Sequence, residues 1–192
     1  MATKARVSVL AGLLLSLAIA SGAAIAAPVA EEDRTPVDLR RTTLVVADID
    51  RSLAFYRDAL GMVVTYDNMI FTPREAESVE TAERASRLVF LRSNDDYIGV
   101  LGLIQYLKPD RGRIDISDKT FHQGTIVLVT NHEDDKAAYE RAMKVDGVNS
   151  LWEPQETAYP SYDGTSKIHV LVSGVQDPDG FVVEINQLLD DL

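Results

Sequence analysis

Side chains able to ligate a cation, carry a proton or attack a carbonyl are unevenly supplied along these 192 residues. There is no cysteine, which excludes disulfides, thiolate nucleophiles and thiolate metal sites. Of the three histidines, His122 (followed by Gln123) and His169 are candidate ligands for a divalent cation. A solitary histidine is more often a hydrogen-bonded surface or core residue. Tyr97, Tyr106, Trp152, Tyr159 and Tyr162 could line a cavity and stack on an aromatic ligand, although aromatics in small domains more often fill the core. No G-x-S-x-G, P-loop or G-x-G-x-x-G pattern occurs, so serine hydrolase, nucleotide hydrolase and dinucleotide-binding readings lack support.

Whatever chemistry the chain carries is expected outside the cytoplasm. Lys4 and Arg6 precede an apolar run from Val7 to Ala20, and Ala24-Ile25-Ala26-Ala27 follows. This is the layout of a secretory signal peptide over 1–26, cleaved after Ala26, which places the mature protein in the periplasm or outside the cell. The run is shorter than the roughly 20 residues that span a bilayer, so no stable membrane insertion is expected after cleavage. Loss of those two cations takes the formal net charge from −11 to −13. Such a surface repels phosphate backbones, so nucleic acid is not an expected partner.

The elements that must position the site follow from periodicity. Residues 27–38 read as a flexible leader. Leu39–Ala47 is rich in Thr, Val and Leu and predicts a strand. Asp48 or Asp50 caps a helix carrying Leu53, Phe55, Tyr56 and Leu60, and Gly61 stops it. Met62–Phe71 predicts a second strand. Thr72-Pro73-Arg74-Glu75 has the form of a capping box and predicts a short, solvated, charged helix from Pro73 to about Ala85. Arg87–Arg92 and Ile98–Tyr106 are strands joined by the turn Ser93–Asp96. After a charged linker, Lys108–Lys119, the pattern begins again. It runs through strand Thr125–Thr130, helix Asp135–Val145 with Ala138, Tyr139 and Met143 inward, and strands Val148–Tyr159, Lys167–Val175 and Phe181–Gln187. Tyr56 and Tyr139 read as counterparts, 83 residues apart. The expected fold class is α+β: two βαβββ modules, about 39–107 and 120–188, forming a cupped eight-stranded mixed sheet around a central cavity.

The opening run Thr42-Thr43-Leu44-Val45-Val46-Ala47-Asp48-Ile49-Asp50-Arg51-Ser52-Leu53-Ala54-Phe55-Tyr56, with Leu60-Gly61, resembles the start of a vicinal oxygen chelate module. The run Val175-Gln176-Asp177-Pro178-Asp179-Gly180-Phe181-Val182-Val183-Glu184 resembles the closing hairpin of the same glyoxalase/bleomycin-resistance/dioxygenase-like superfamily. The resemblance covers about 39–188. It implies a divalent metal held by His, Gln or Glu from the first and last strand of each module, offsetting developing oxyanion charge. Carried over position by position, those four places fall on Arg41, Gly102, a residue near Thr125, and Glu184. Only Glu184 is a metal ligand, and a guanidinium repels a cation. The expectation is a small-molecule-binding module whose ligand meets Arg41, Thr125 and Glu184, with Arg41 either paired to Glu184 or reading a ligand's oxygens. No cofactor is expected. The alternative is a metal-dependent lyase or extradiol-type dioxygenase using Glu184 with His122. Modules of this kind often dimerise through sheet edges, which admits a homodimer.

Overall fold

The structure is a computed structural model that describes residues 29–113, 115, 121–161 and 164–190. The expected signal peptide, the first two leader residues, Tyr162 and most of 114–120 lie outside the described residues. After a 3-10 turn at Glu31–Asp33, each half of the chain forms the same unit. β1 (Arg41–Val45) leads into α1 (Ile49–Leu53), which widens into a π-helical segment (Ala54–Ala59). β2 (Val63–Thr72), β3 (Arg84–Arg92) and β4 (Val100–Lys108) complete the first module. β5 (Val127–Asn131), α2 (Asp135–Ala142), β6 (Asn149–Pro160), β7 (Lys167–Gln176) and β8 (Val182–Leu188) form the second. The eight strands divide into two four-stranded mixed sheets, ordered β1-β4-β3-β2 and β5-β8-β7-β6. β1 runs parallel to β4 and β5 parallel to β8, while the other ladders are antiparallel.

The duplication extends to individual hydrogen bonds. Arg41 pairs with Val100 as Val127 pairs with Val182. Asp48 caps α1 and Asp134 caps α2, each accepting from backbone N–H groups of the first turn. Gln105 Oε1 accepts from the Ile49 N–H at 3.2 Å, and Gln187 Oε1 accepts from the Asp135 N–H at 3.2 Å. Both helices end at a left-handed glycine, Gly61 and Gly147, each with φ 84°. Counterparts from Arg41 and Val127 up to Tyr66 and Trp152 sit 86 positions apart, and those on β4 and β8 sit 82 apart. Tyr56 therefore corresponds to Ala142, and Tyr139 to Leu53. The expected match of Tyr56 with Tyr139 is displaced by almost one helical turn, because aromatic identity took precedence over the cap positions.

Two further expectations are corrected. No helix forms after Pro73. The segment closes as hydrogen-bonded turns between Ser78 and Thr81 before β3 starts at Arg84, three residues earlier than expected. Only Ala82 is buried there, and a helix of about a dozen residues without an apolar stripe to pack is marginal. α2 ends at Ala142 rather than Val145. Its fully buried positions are Asp135, Ala138 and Ala142, while Met143 is 37% exposed.

One apolar cluster spans both modules. Phe55 and Tyr56 meet edge to face at 4.8 Å beneath Leu44, Val89, Leu91 and Leu103, and Ala138, Val175, Val183 and Ile185 continue it. No strand ladder joins the two sheets among the described residues. Polar contacts link the modules instead. Tyr56 Oη donates to Asp177 Oδ2 at 2.9 Å, Arg141 Nε donates to the Ala59 carbonyl, and Arg51 and Arg113 both reach Asp179.

Candidate functional site on the open sheet faces

Each sheet turns one face to its helix and the other away from it. On the first sheet the outward row is Thr43, Gly102, Phe90 and Tyr66, in register across β1, β4, β3 and β2. Gly102 lets the Thr43 and Arg41 side chains close over β4. A Cβ there would come within 2.7 Å of Thr43 Oγ1 and 3.3 Å of the Arg41 stem. Arg41 therefore lies on this face, and its guanidinium sits 4.1 Å from the centre of the Phe90 ring, which stacks on Tyr66 at 4.8 Å. Among the described residues Arg41 has no carboxylate partner.

On the second sheet the same row reads Val129, Glu184, Gly174 and Trp152. A Cβ on Gly174 would collide with the Trp152 indole, so the ring lies flat across β7. Phe121 from the linker meets Trp152 edge-on at 6.0 Å. This half of the face is filled by its own side chains. Glu184 Oε1 accepts from Asn186 Nδ2 at 3.1 Å and makes no ion pair with Arg41. The guanidinium–carboxylate pair considered from the sequence is therefore absent, since each partner is held by a neighbour on its own sheet.

The register also settles which residue of β5 corresponds to Arg41. It is Val127, seven residues before the cap Asp134, as Arg41 lies seven before the cap Asp48. Thr125 lies two residues earlier, in a turn where its hydroxyl accepts from the His122 N–H at 3.0 Å and its own N–H donates to the His122 carbonyl. His122 and Thr125 line a cavity of about 310 Å³ between the modules, together with Gln176, Arg111, Arg113 and Asp179. The sequence carried the signal needed to find Val127, namely the cap-to-strand spacing of the first module.

The remaining candidates disperse. His169 Nδ1 bonds Asp190 at 3.0 Å on the surface. Tyr97 and Tyr106 lie beneath Arg40 and Arg111, and Tyr159 is exposed. Missed by sequence reasoning were Thr43, Phe90 and Tyr66, whose role depends on which strands become neighbours. The closing turn of the second module holds the backbone together. Asp177 Oδ1 accepts from the N–H groups of Asp179 and Phe181 at 2.9 and 2.8 Å. Its burial pushes the carboxyl up to about 6, against the lowering effect of the bond from Tyr56.

A sequence profile described as the glyoxalase/bleomycin resistance protein/dioxygenase superfamily matches residues 38–185. The chain belongs to that superfamily. Its fold is similar to that of a glyoxalase family protein from Bacillus cereus, with TM-score 0.62 and 12% identity over 84% of this chain and 100% of the other. It is also similar to the trypanothione-dependent glyoxalase I of Leishmania major, with TM-score 0.50 and 23% identity over 79% and 86% of the two chains. A glyoxalase I variant from Zea mays aligns with TM-score 0.50 and 18% identity over 78% of this chain, which spans 45% of the maize chain. No curated protein matches the sequence at a significant level.

The metal that the superfamily implies does not fit the residues present. Its four positions hold a guanidinium, a glycine, a valine and one carboxylate. Among the described residues no group of three or more His, Asp or Glu side chains could hold an ion. A cationic, aromatic-backed shelf can instead receive an anionic or carbonyl-bearing group, because guanidinium donors suit such oxygens and the ring beneath holds the guanidinium plane in place.

Proposed function

We propose that this protein is an exported superfamily member that binds a small molecule on its open sheet face through Arg41, without the metal its relatives' chemistry requires. The observation that carries this reading is the placement of Arg41. A cation stands in the first-strand ligand position, backed by Phe90, its stem packed over Gly102 and without a carboxylate partner among the described residues. The ligand's carboxylate or carbonyl oxygens bond the guanidinium, and a flat body lies along Phe90 and Tyr66. No helix among the described residues is long and apolar enough to cross a membrane. The sequence of 1–26 supports export, and mass spectrometry of the mature N-terminus tests cleavage after Ala26.

The test has two parts. Elemental analysis of protein purified without chelators is expected to find no stoichiometric metal. Iron, manganese, nickel or zinc at one per chain would overturn the reading in favour of a metal-dependent lyase or dioxygenase built on Glu184. Arg41→Gln is then expected to weaken binding of an aromatic carboxylate such as 2-naphthoate by 10-fold or more, about the loss of one charge-assisted hydrogen bond. Undiminished binding by that variant would equally refute the proposal.

A further inference from the structure

A second, larger cavity lies away from the pocket at His122 and Thr125. It measures about 640 Å³, within the range of small-molecule sites, and lies between the modules on the helix side of β1. Thr42, Tyr56, Leu60, Met62, Leu128 and His132 are among the residues that line it. Thr42 alternates with Arg41 along the strand, so its side of this space faces away from the Arg41 shelf, while Val100, paired with Arg41, and Val129 of the open-face row lie along the rim.

Its lining has an unusual chemistry. Asp, Glu, Lys and Arg make up 26% of the chain, yet none of them lines this cavity. The only titratable side chains are Tyr56, whose hydroxyl is committed to Asp177, and His132. His132 is held below its ordinary pKa by burial and by the nearby Arg141 charge, so it is neutral at pH 7. It occupies the place of Val46 in the first module, since His132 N–H donates to the Asn186 carbonyl as Val46 N–H donates to that of Ile104. Thr130 likewise stands where the first module buries Leu44. Polar groups thus replace two core side chains along this cavity.

The proton positions follow from the bonds. The Thr130 hydroxyl donates its one proton to the Glu184 carbonyl at 3.1 Å. Its oxygen must then accept from His132 Nε2–H, 3.1 Å away. The neutral ring therefore carries its lone pair on Nδ1, which has no protein partner among the described residues. We propose that this cavity is a second binding site, for an uncharged, largely apolar molecule that donates a hydroxyl hydrogen bond to His132. Burying a charged ligand there would cost desolvation with no counter-ion to offset it, whereas an alcohol or phenol leaves no unpaired charge.

The experiment uses 2-naphthol as the uncharged probe and 2-naphthoate as its anionic counterpart, with the full chain labelled for amide NMR. Saturable shifts from 2-naphthol are expected at residues such as Thr42, Met62, Leu128 and Thr130. His132→Leu is expected to weaken 2-naphthol about tenfold, and Thr42→Trp, which fills the space, to abolish its binding. Arg41→Gln should leave 2-naphthol binding unchanged, so failure of the open-face reading and failure of this one are separable. Absence of saturable shifts, shifts centred on Arg41 and Phe90, or displacement of 2-naphthol by 2-naphthoate would overturn the second site. Because shift mapping on the unaltered chain needs no variant, poor folding of either substitution does not remove the test.

Discussion

The two modules share a backbone plan and differ in what they enclose. In the first, Ile49 and Val89 are fully buried between helix and sheet, and Leu44 and Val46 nearly so. The corresponding residues of the second are Asp135, Ser173, Thr130 and His132. Asp135 has no solvent exposure, accepts from Ser173 Oγ at 3.0 Å, and leaves Oδ1 without a partner among the described residues. Large apolar side chains from α1 and its π-helical extension, Phe55 and Tyr56, fill the first core, while α2 contributes Ala138 and Ala142. The first copy of the unit thus carries the larger share of the apolar burial that stabilises the pair, and the second carries more of the buried polar groups that cost desolvation. Repeats that share a core allow this division, since neither sheet needs to be stable alone.

The contrast is broken most directly by moving the polar group across. Ile49→Asp places in the first module the residue type that the second already buries. It is expected to cost about 4 kcal/mol or more in urea unfolding, because Val89 offers no hydrogen bond where Ser173 does. A loss below about 1 kcal/mol would show the two interiors to be interchangeable.

The joint between the modules comes next. Tyr56→Phe removes the donor to the buried Asp177 and is expected to destabilise by about 1–3 kcal/mol. Asp177 also sets a pH dependence. Its folded pKa of about 6 lies above the ordinary carboxylate value of about 3.9, so its contribution is fully present below about pH 4 and is lost as pH rises through about 6. Stability measured from pH 4 to 8 should fall across that window, and Asp177→Asn should flatten the fall. A profile rising through pH 6 and unchanged by that substitution would contradict the assignment.

The smallest effect sharpens the comparison. Burial raises the pKa of Asp135, with the Ser173 bond opposing it. A raised carboxyl favours the folded state at low pH. Asp135→Asn should therefore gain about 1 kcal/mol of stability at pH 8 and little at pH 4. An equal effect at both pH values would mean that the carboxyl is not desolvated as its surroundings imply.

Much of the plan was legible before folding. Cap residues, terminating glycines and alternating strands located both modules, since each is a local consequence of backbone geometry. The segment after Pro73 misled because a capping box can start a helix but cannot supply an apolar surface for it. At the site, Arg41 and Glu184 were identified by carrying over the positions that the resemblance implies. Their separation was not, because it depends on Phe90 and Asn186, which reach them only through neighbouring strands. The off-by-two placement at Thr125 arose from matching resemblance instead of counting back from Asp134.

The residue order alone settled that this chain has two copies of one unit, no thiol chemistry, a strong negative charge, and a cation where its relatives place a metal ligand. Three-dimensional folding decided which faces those residues share. It set Arg41 on an aromatic shelf, locked Asp177 against a tyrosine 121 positions away, and opened a cavity without charged walls between the halves. The physical reason is that propensity and capping act within a few residues, whereas ring stacking, desolvation and cavity shape depend on strands that meet only in the folded sheets.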